Sequence, residues 1–236
     1  MIPKVIHYCW FGGSSLPYEV NKCLSSWKKF CPDYKITRWD ESNFDVSSHP
    51  FTSAAYDAGA WAFVSDYARL KIVYDCGGIY LDTDVELLKN IDFLIKETCY
   101  VGIQQSANLC NTGLGFGAEK FNPVIRAMLD VYDNLEFDSS ALQKLACPVL
   151  NTQVLSAMGY SFEDNPVELN GVKVFPSRFF DPIAPGGNSR NLMCDDSVSI
   201  HHYSNSWGTH WDVFRRKLIG MIGVERIAHL KEMLHE

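Results

Sequence analysis

The chain has 236 residues, 47% hydrophobic and 21% charged, with a formal net charge of -7. That length suits one domain with a sizeable core, and the acidic balance argues against a nucleic-acid partner, which favours a basic face. It leaves a phosphorylated ligand open, because a bound cation can supply local positive charge. No apolar run reaches the roughly 18 residues of a membrane span, and Met1-Ile2-Pro3-Lys4 passes straight into a strand pattern, so neither a leader nor a spanning helix is expected. The eight cysteines form no CxxC pair and read as the reduced thiols of a cytoplasmic protein.

Residues 2–10 read as a buried strand that turns at Gly12-Gly13. Ser14 or Ser15 can cap a helix whose early Pro17 suits its first turn, with Leu16, Val20, Leu24 and Trp27 on one face. Pro32-Asp33 breaks it, and Tyr34 to Trp39 is a second strand. Strand, helix, strand in this rhythm predicts a parallel α/β sheet with right-handed crossovers. A helical region, in one piece or two, covers about 52–75, with Trp61, Val64, Ala68 and Ile72 facing the core. Strands follow before Asp82, at 100–104 and at 114–117. Helices are expected at 123–135 and 152–158, strands at 172–176 and 197–203, and a Pro/Gly-rich loop at 182–188. A last helix runs over about 211–236, with Phe214, Leu218, Met221 and Ile222 on one side.

The chemistry concentrates in 65–85. Asp82 and Asp84 end the apolar run Ile79-Tyr80-Leu81. On an extended chain, residues i and i+2 point to one side, so both carboxylates can face one ligand. Two adjacent carboxylates are tolerable when a hard dication lies between them and a phosphate. Upstream, Asp66 and Arg69 share a helix face, and Gly77-Gly78 stops that helix and starts the strand. His7 reads as a hydrogen-bonded core histidine, and Trp10 as either a core residue or a binding platform. Of the adjacent His201 and His202, at most one can face a given site on a strand.

Three blocks carry a resemblance: Ile2-Pro3-Lys4-Val5-Ile6-His7-Tyr8-Cys9-Trp10-Phe11-Gly12-Gly13; then Ser65-Asp66-Tyr67-Ala68-Arg69 with Gly77-Gly78-Ile79-Tyr80-Leu81-Asp82-Thr83-Asp84; and last His201-His202-Tyr203-Ser204-Asn205-Ser206-Trp207. In this order, over residues 2–207, they resemble glycosyltransferase family 32. Its members include yeast mannosyltransferases, bacterial capsule enzymes and, more distantly, the glucosylating domain of clostridial toxins. The resemblance implies a GT-A-type α/β fold over 1–236, a Rossmann-like, mostly parallel sheet flanked by helices. It implies transfer of a sugar from a nucleotide sugar, expected to be a UDP-sugar, to a hydroxyl of a glycan or lipid-linked acceptor. Retention of configuration follows from the same likeness, and the short single-domain format suggests a place in bacterial surface polysaccharide synthesis.

The resemblance also implies roles. Mn2+ or Mg2+ would be held directly by Asp84, by Asp82 through water, and by His202, whose spacing to Trp207 matches the family's third ligand position. The toxins carry Glu there, and Ser where this chain has Asn205. Asp82 would also touch the sugar or ribose. Asp66 and Arg69 would grip the donor sugar's hydroxyls, with Arg69 steadying charge near the glycosidic oxygen. Trp10 would stack the base, Asn205 and Trp207 would meet the donor, Trp207 through its indole N–H, and Asn108, Asn111 and Thr112 would line the sugar pocket. Arg215-Arg216-Lys217 on the last helix could touch an anionic bilayer from the cytoplasmic side. Two other readings stay open. Asp82 and Asp84 could be nucleophile and acid/base of a haloacid-dehalogenase-like phosphatase, although some eighty residues precede them here. Or the chain could be a non-catalytic sugar-nucleotide-binding module.

Overall fold

A computed structural model describes residues 1–186 and 189–204. The expected helix at 211–236, with its bilayer contact, lies outside the described residues, as do Asn205 and Trp207. The first half of the chain forms β1 (Val5–Cys9), α1 (Tyr18–Phe30), β2 (Lys35–Trp39), α2 (Pro50–Asp57), α3 (Trp61–Cys76), β3 (Gly78–Tyr80) and β4 (Val85–Leu87). The second forms β5 (Cys99–Ile103), β6 (Cys110–Ala118), α4 (Pro123–Tyr132), α5 (Leu142–Leu145), α6 (Cys147–Ala157), β7 (Val167–Leu169), β8 (Val172–Phe175), α7 (Ser177–Phe180) and β9 (Ser199–His201). Among the described residues no helix is long and apolar enough to cross a membrane.

The main sheet has seven strands in the order β2-β1-β3-β6-β5-β8-β7. Strands β2, β1, β3, β5 and β8 point one way, and β6 and β7 run against them. The sheet is thus mostly parallel but mixed, where the strand–helix rhythm alone predicts a parallel one. Connection length is the cause. Residues 104–109 join β5 to β6 and Asn170-Gly171 joins β7 to β8. Links so short can connect only antiparallel neighbours, because a parallel return needs a crossover of a dozen residues or more. Strands β4 and β7 have three residues each, too few to register as an alternating pattern. The region at 52–75 is two helices, divided where Gly59 takes φ +68°.

Alternation along the strands loads both faces of the sheet. Tyr80, Val101, Phe116 and Val174 face a core shared with Val64, Ala68 and Ile72 of α3 and Ile125, Met128 and Leu129 of α4. Ile6, Ile79, Tyr100 and Leu114 face the opposite core, with Val20, Leu24 and Trp27 of α1. Helix α3 is buried on nearly every side, yet its buried set includes Ser65, Asp66 and Arg69. An apolar stripe cannot account for those three.

His7 is a core histidine, as expected. Its Nδ1 accepts from Trp39 Nε1 at 3.0 Å, and its Nε2 lies 3.0 Å from the Gly77 carbonyl oxygen. The ring is therefore neutral, with its proton on Nε2. Burial lowers its pKa below 6.5, Gly77 working the other way and Lys35 adding to the fall. Gly78 makes room for it: at φ +114°, a Cβ there would sit 2.8 Å from His7 Nε2. Below the unfolded pKa of about 6.5 the unfolded chain takes up a proton that the folded chain refuses, so stability is present above that pH and lost as pH falls. The urea midpoint should therefore drop from pH 7.5 to 5 more steeply in the wild type than in His7→Gln. The difference is at most about 1.4 kcal/mol per pH unit, and parallel profiles would contradict it.

Candidate active site

Asp66 and Arg69 are one turn apart on α3, and the helix delivers both beneath the end of β3. Arg69 and Asp66 are each 1% exposed. Arg69 Nη2 lies 2.8 Å from Asp66 Oδ1 and 3.1 Å from Asp82 Oδ1. Arg69 Nε donates to the Ser65 carbonyl at 3.1 Å, and the guanidinium stands 5.0 Å from the centre of the Tyr80 ring. Burial by itself disfavours the charge, but Asp82 and Asp66 outweigh it, and the pKa of Arg69 lies well above its usual value. Arg69 is thus a fixed cation between two carboxylates. Tyr80 closes the group by donating its hydroxyl to Asp82 Oδ1 at 3.1 Å.

After β3 the chain does not stay extended. Val85 N–H bonds to the Asp82 carbonyl at 3.0 Å, and this turn, rather than strand alternation, brings the carboxylates of Asp82 and Asp84 to one side. Strand β4 begins at once and pairs with β9, Val85 opposite His201 and Leu87 opposite Ser199. That register brings His201 Nε2 to 3.0 Å from Asp84 Oδ1. Asp84 Oδ2 accepts from the Ser204 N–H at 2.9 Å. Asp82, Asp84 and His201 each offer one ligand atom, and these atoms all lie within 4.8 Å of one another. Two carboxylates and an imidazole form a donor set that suits Mn2+, with carboxylate oxygens that also serve Mg2+. Burial disfavours charge on His201, yet Asp84, with Asp82 and Asp181 behind it, raises its pKa above 6.5.

His202 does not reach this cluster, contrary to the sequence expectation. Its neighbour takes that place, because adjacent residues on a strand face opposite ways. His202 turns outward, and its Nε2 lies 2.8 Å from Glu86 Oε2. Trp10 also departs from the platform reading. It is 0% exposed, packed in the core with Tyr8, Val20 and Trp27, and its Nε1 donates to the Ser14 carbonyl at 2.7 Å. A base could stack on it only if its cover moved.

Asn111 does join the site. Its Nδ2 donates to Gln104 Oε1 at 2.9 Å, and its Oδ1 accepts from the Gly113 N–H at 2.7 Å. Thr112 faces away, accepting from Asn151 Nδ2 at 2.9 Å, and Asn108 Nδ2 is tied to the Phe162 carbonyl at 3.0 Å. Sequence reasoning passed over Gly113 as a functional position. A Cβ there would fall 2.5 Å from Asp82 Oδ2, 3.0 Å from Asn111 Oδ1 and 3.1 Å from Arg69 Nη1. The glycine is required because the charged groups converge above it. Cys147, at the start of α6, lies 3.6 Å from both Arg69 Nη1 and Asn111 Oδ1. No motif announced it, because a lone cysteine carries no spacing signal.

A family described as "Glycosyltransferase sugar-binding region containing DXD motif" matches residues 17–101. A protein of Acanthamoeba polyphaga mimivirus named Uncharacterized glycosyltransferase L373 is 35% identical over 226 residues, 89% of this chain and 85% of that one. Inositol phosphoceramide mannosyltransferase 3 of Schizosaccharomyces pombe is 31% identical over 126 residues, 49% of this chain. The match spans 33% of the length of that fungal protein. Among solved structures, the PaToxG glycosyltransferase superposes with a TM-score of 0.54 at 22% identity, over 66% of this chain and 69% of that one. This last likeness is one of fold.

Two substitutions separate packing from chemistry. Trp10→Ala should cost about 3–5 kcal/mol of stability, the range for deleting a buried aromatic, read as a fall in urea midpoint. A midpoint unchanged from wild type would show that the indole is not a core element. Gly113→Ala should displace Asp82 from Arg69 and lower the midpoint as well, because a buried ion pair is disturbed. A misplacement of about 1 Å costs roughly a hundredfold in rate, so turnover of the protein that stays folded should still collapse.

Proposed function

We propose the following reaction for a chain that belongs to the DXD-containing glycosyltransferases of the family-32 type and carries their GT-A fold. A nucleotide sugar, with UDP as the nucleotide, places its diphosphate over Asp82, Asp84 and His201. Its sugar lies toward Arg69, Asp66 and Asn111. An acceptor hydroxyl on a glycan or a lipid-linked molecule then takes the sugar. The observation that carries this reading is the convergence of a buried Asp66–Arg69–Asp82 cluster with an Asp82–Asp84–His201 ligand set. Membership of the family sets the phosphatase and binding-module alternatives aside.

Asp82, Asp84 and His201 would hold Mn2+ or Mg2+. Such an ion, when bound, neutralises charge that grows on the leaving diphosphate. Arg69 holds Asp82 in register, and Asp66 fixes Arg69. Both are buried, so either would meet the donor's hydroxyls only once the groups that cover it move. Asn111 is anchored through Gln104 and the Gly113 N–H, so its position does not depend on the ligand. Among these residues none stands as an evident nucleophile with its own acid partner. Retention by front-face displacement, with the leaving phosphate accepting the proton of the incoming hydroxyl, is the proposed course. The name of the fungal relative, Inositol phosphoceramide mannosyltransferase 3, supports a hexosyl donor and a lipid-linked acceptor. Surface polysaccharide synthesis in a bacterium is the proposed setting.

Donor hydrolysis and transfer should stop in excess EDTA and return with Mn2+. Asp84→Asn should lower the rate at least about a hundredfold, because a charged ligand is lost from a site that must hold a dication. A thermal-shift panel of nucleotide sugars, with and without Mn2+, should single out the donor. A ligand at 100 times its Kd adds about 2.7 kcal/mol of stability. Full activity in metal-free protein would sink the metal-dependent reading.

A further inference from the structure

We infer that Asp181 is a positioning residue that holds His201 and the segment to Ser204 against the metal-binding carboxylates. The inference rests on the reading of Asp82, Asp84 and His201 given above. Asp181 follows α7 and is 0% exposed. Its Oδ2 accepts two hydrogen bonds, from the Gln105 N–H at 2.8 Å and from the Tyr203 hydroxyl at 2.8 Å. Gln105 grips it further, donating through Nε2 to the Asp181 carbonyl at 2.9 Å and to the Arg190 carbonyl at 3.0 Å. The carboxylate is therefore anchored to the β5–β6 loop.

Tyr203 works as a strut between that anchor and the imidazole. Its backbone takes φ +50°, uncommon for an aromatic residue. Its ring meets the His201 ring edge-on, with centroids 4.1 Å apart. Its hydroxyl ends on Asp181, and the next residue, Ser204, gives its N–H to Asp84 Oδ2 at 2.9 Å. Fixing the hydroxyl therefore sets both the imidazole and the N–H that orients Asp84. Strand β9 has only three residues, so its ladder alone would leave His201 loosely placed.

Packing gives no reason for a carboxylate at this position. Burial raises the Asp181 pKa to about 6, with His201 and the bonds from Gln105 and Tyr203 opposing the rise. Its Oδ1 is buried with no hydrogen-bond partner, and His201 Nδ1 is in the same condition. A neutral amide would accept the same two bonds more weakly, because hydrogen bonds to a charged acceptor are roughly twice as strong. The charge thus tightens the strut that reaches His201 through Tyr203, the kind of support that orients a ligating histidine.

The test measures Mn2+ binding to the protein alone, by calorimetric titration without donor, alongside urea midpoints. Asp181→Asn should weaken Mn2+ binding by about 10–100-fold, the usual range for such supporting groups, while the protein stays folded. Tyr203→Phe should weaken it less, and the double variant should be little worse than Asp181→Asn, because both changes loosen one strut. Folded Asp181→Asn with a Kd within twofold of wild type would overturn the inference. So would a lowered midpoint with unchanged Mn2+ affinity, which marks a merely structural role. If Asp181→Asn does not fold, Tyr203→Phe carries the test by the same criterion. Wild-type protein that binds UDP but no Mn2+, even with UDP present, would overturn the metal reading and this inference together. Loss confined to the variants would uphold both.

Discussion

The buried charge of Arg69 is the constraint on which the site depends. Taking a guanidinium out of water costs several kcal/mol, repaid only by partners of good geometry. Arg69 has Asp66 on its own helix and Asp82 on the turn after β3. One cation thereby ties a helix to a strand end. Because the pair must meet, α3 lies against the end of the sheet, and position 113 can carry no side chain. The same cluster leaves an imbalance. Asp66, Asp82 and Asp84 set three carboxylates against the one guanidinium of Arg69, with the His201 imidazole beside Asp84. In a partly buried site such a set of carboxylates favours a cation.

Sheet topology surrounds this cluster with polar groups. Reversal of β6 runs Asn111 and Gly113 past the carboxylate turn, so one strand supplies both a polar wall and an open floor. The bonds of Gln104, Asn111 and Gly113 then fix the wall from behind. On the other side the short β4–β9 ladder closes the site. Its few pairs make it the less stable half of the construction, in the manner of ligand-facing elements drawn from the weakly held parts of a fold. Side-chain bonds to Asp84 and Asp181 supplement the ladder there. The site thus has one side built from α3 and β6, and another held by a few specific contacts around the β4–β9 ladder.

Kinship is uneven along the chain. Similarity to the mimivirus protein runs through nearly all of it, whereas the family match stops at residue 101 and the fungal match covers 49% of it. The conspicuous motif residues, Asp66, Arg69, Asp82 and Asp84, fall in the first part. His201, Asp181 and Asn111 fall in the second. Asp66, Arg69, Asp82 and Asp84 therefore lie within the residues of the family match, and Asn111, Asp181 and His201 lie beyond it.

The sequence by itself determined the composition of the site's first half, the helix–glycine–strand order that presents it, and the α/β class of the fold. Those features are local: helix spacing puts Asp66 and Arg69 on one face, and Gly77-Gly78 ends the helix wherever the rest of the chain goes. Only the tertiary structure decided which histidine faces Asp84, since a strand's two faces are equivalent until β9 chooses its register on β4. It decided that Trp10 is enclosed, because burial depends on what packs over a ring and not on the ring's neighbours in sequence. It reversed β6, placed Gly113 beneath Asp82, and set Asp181 behind Tyr203 across 22 positions of sequence. Each of these is a long-range encounter, fixed by the packing of the two cores against the sheet, and no spacing along the chain encodes it.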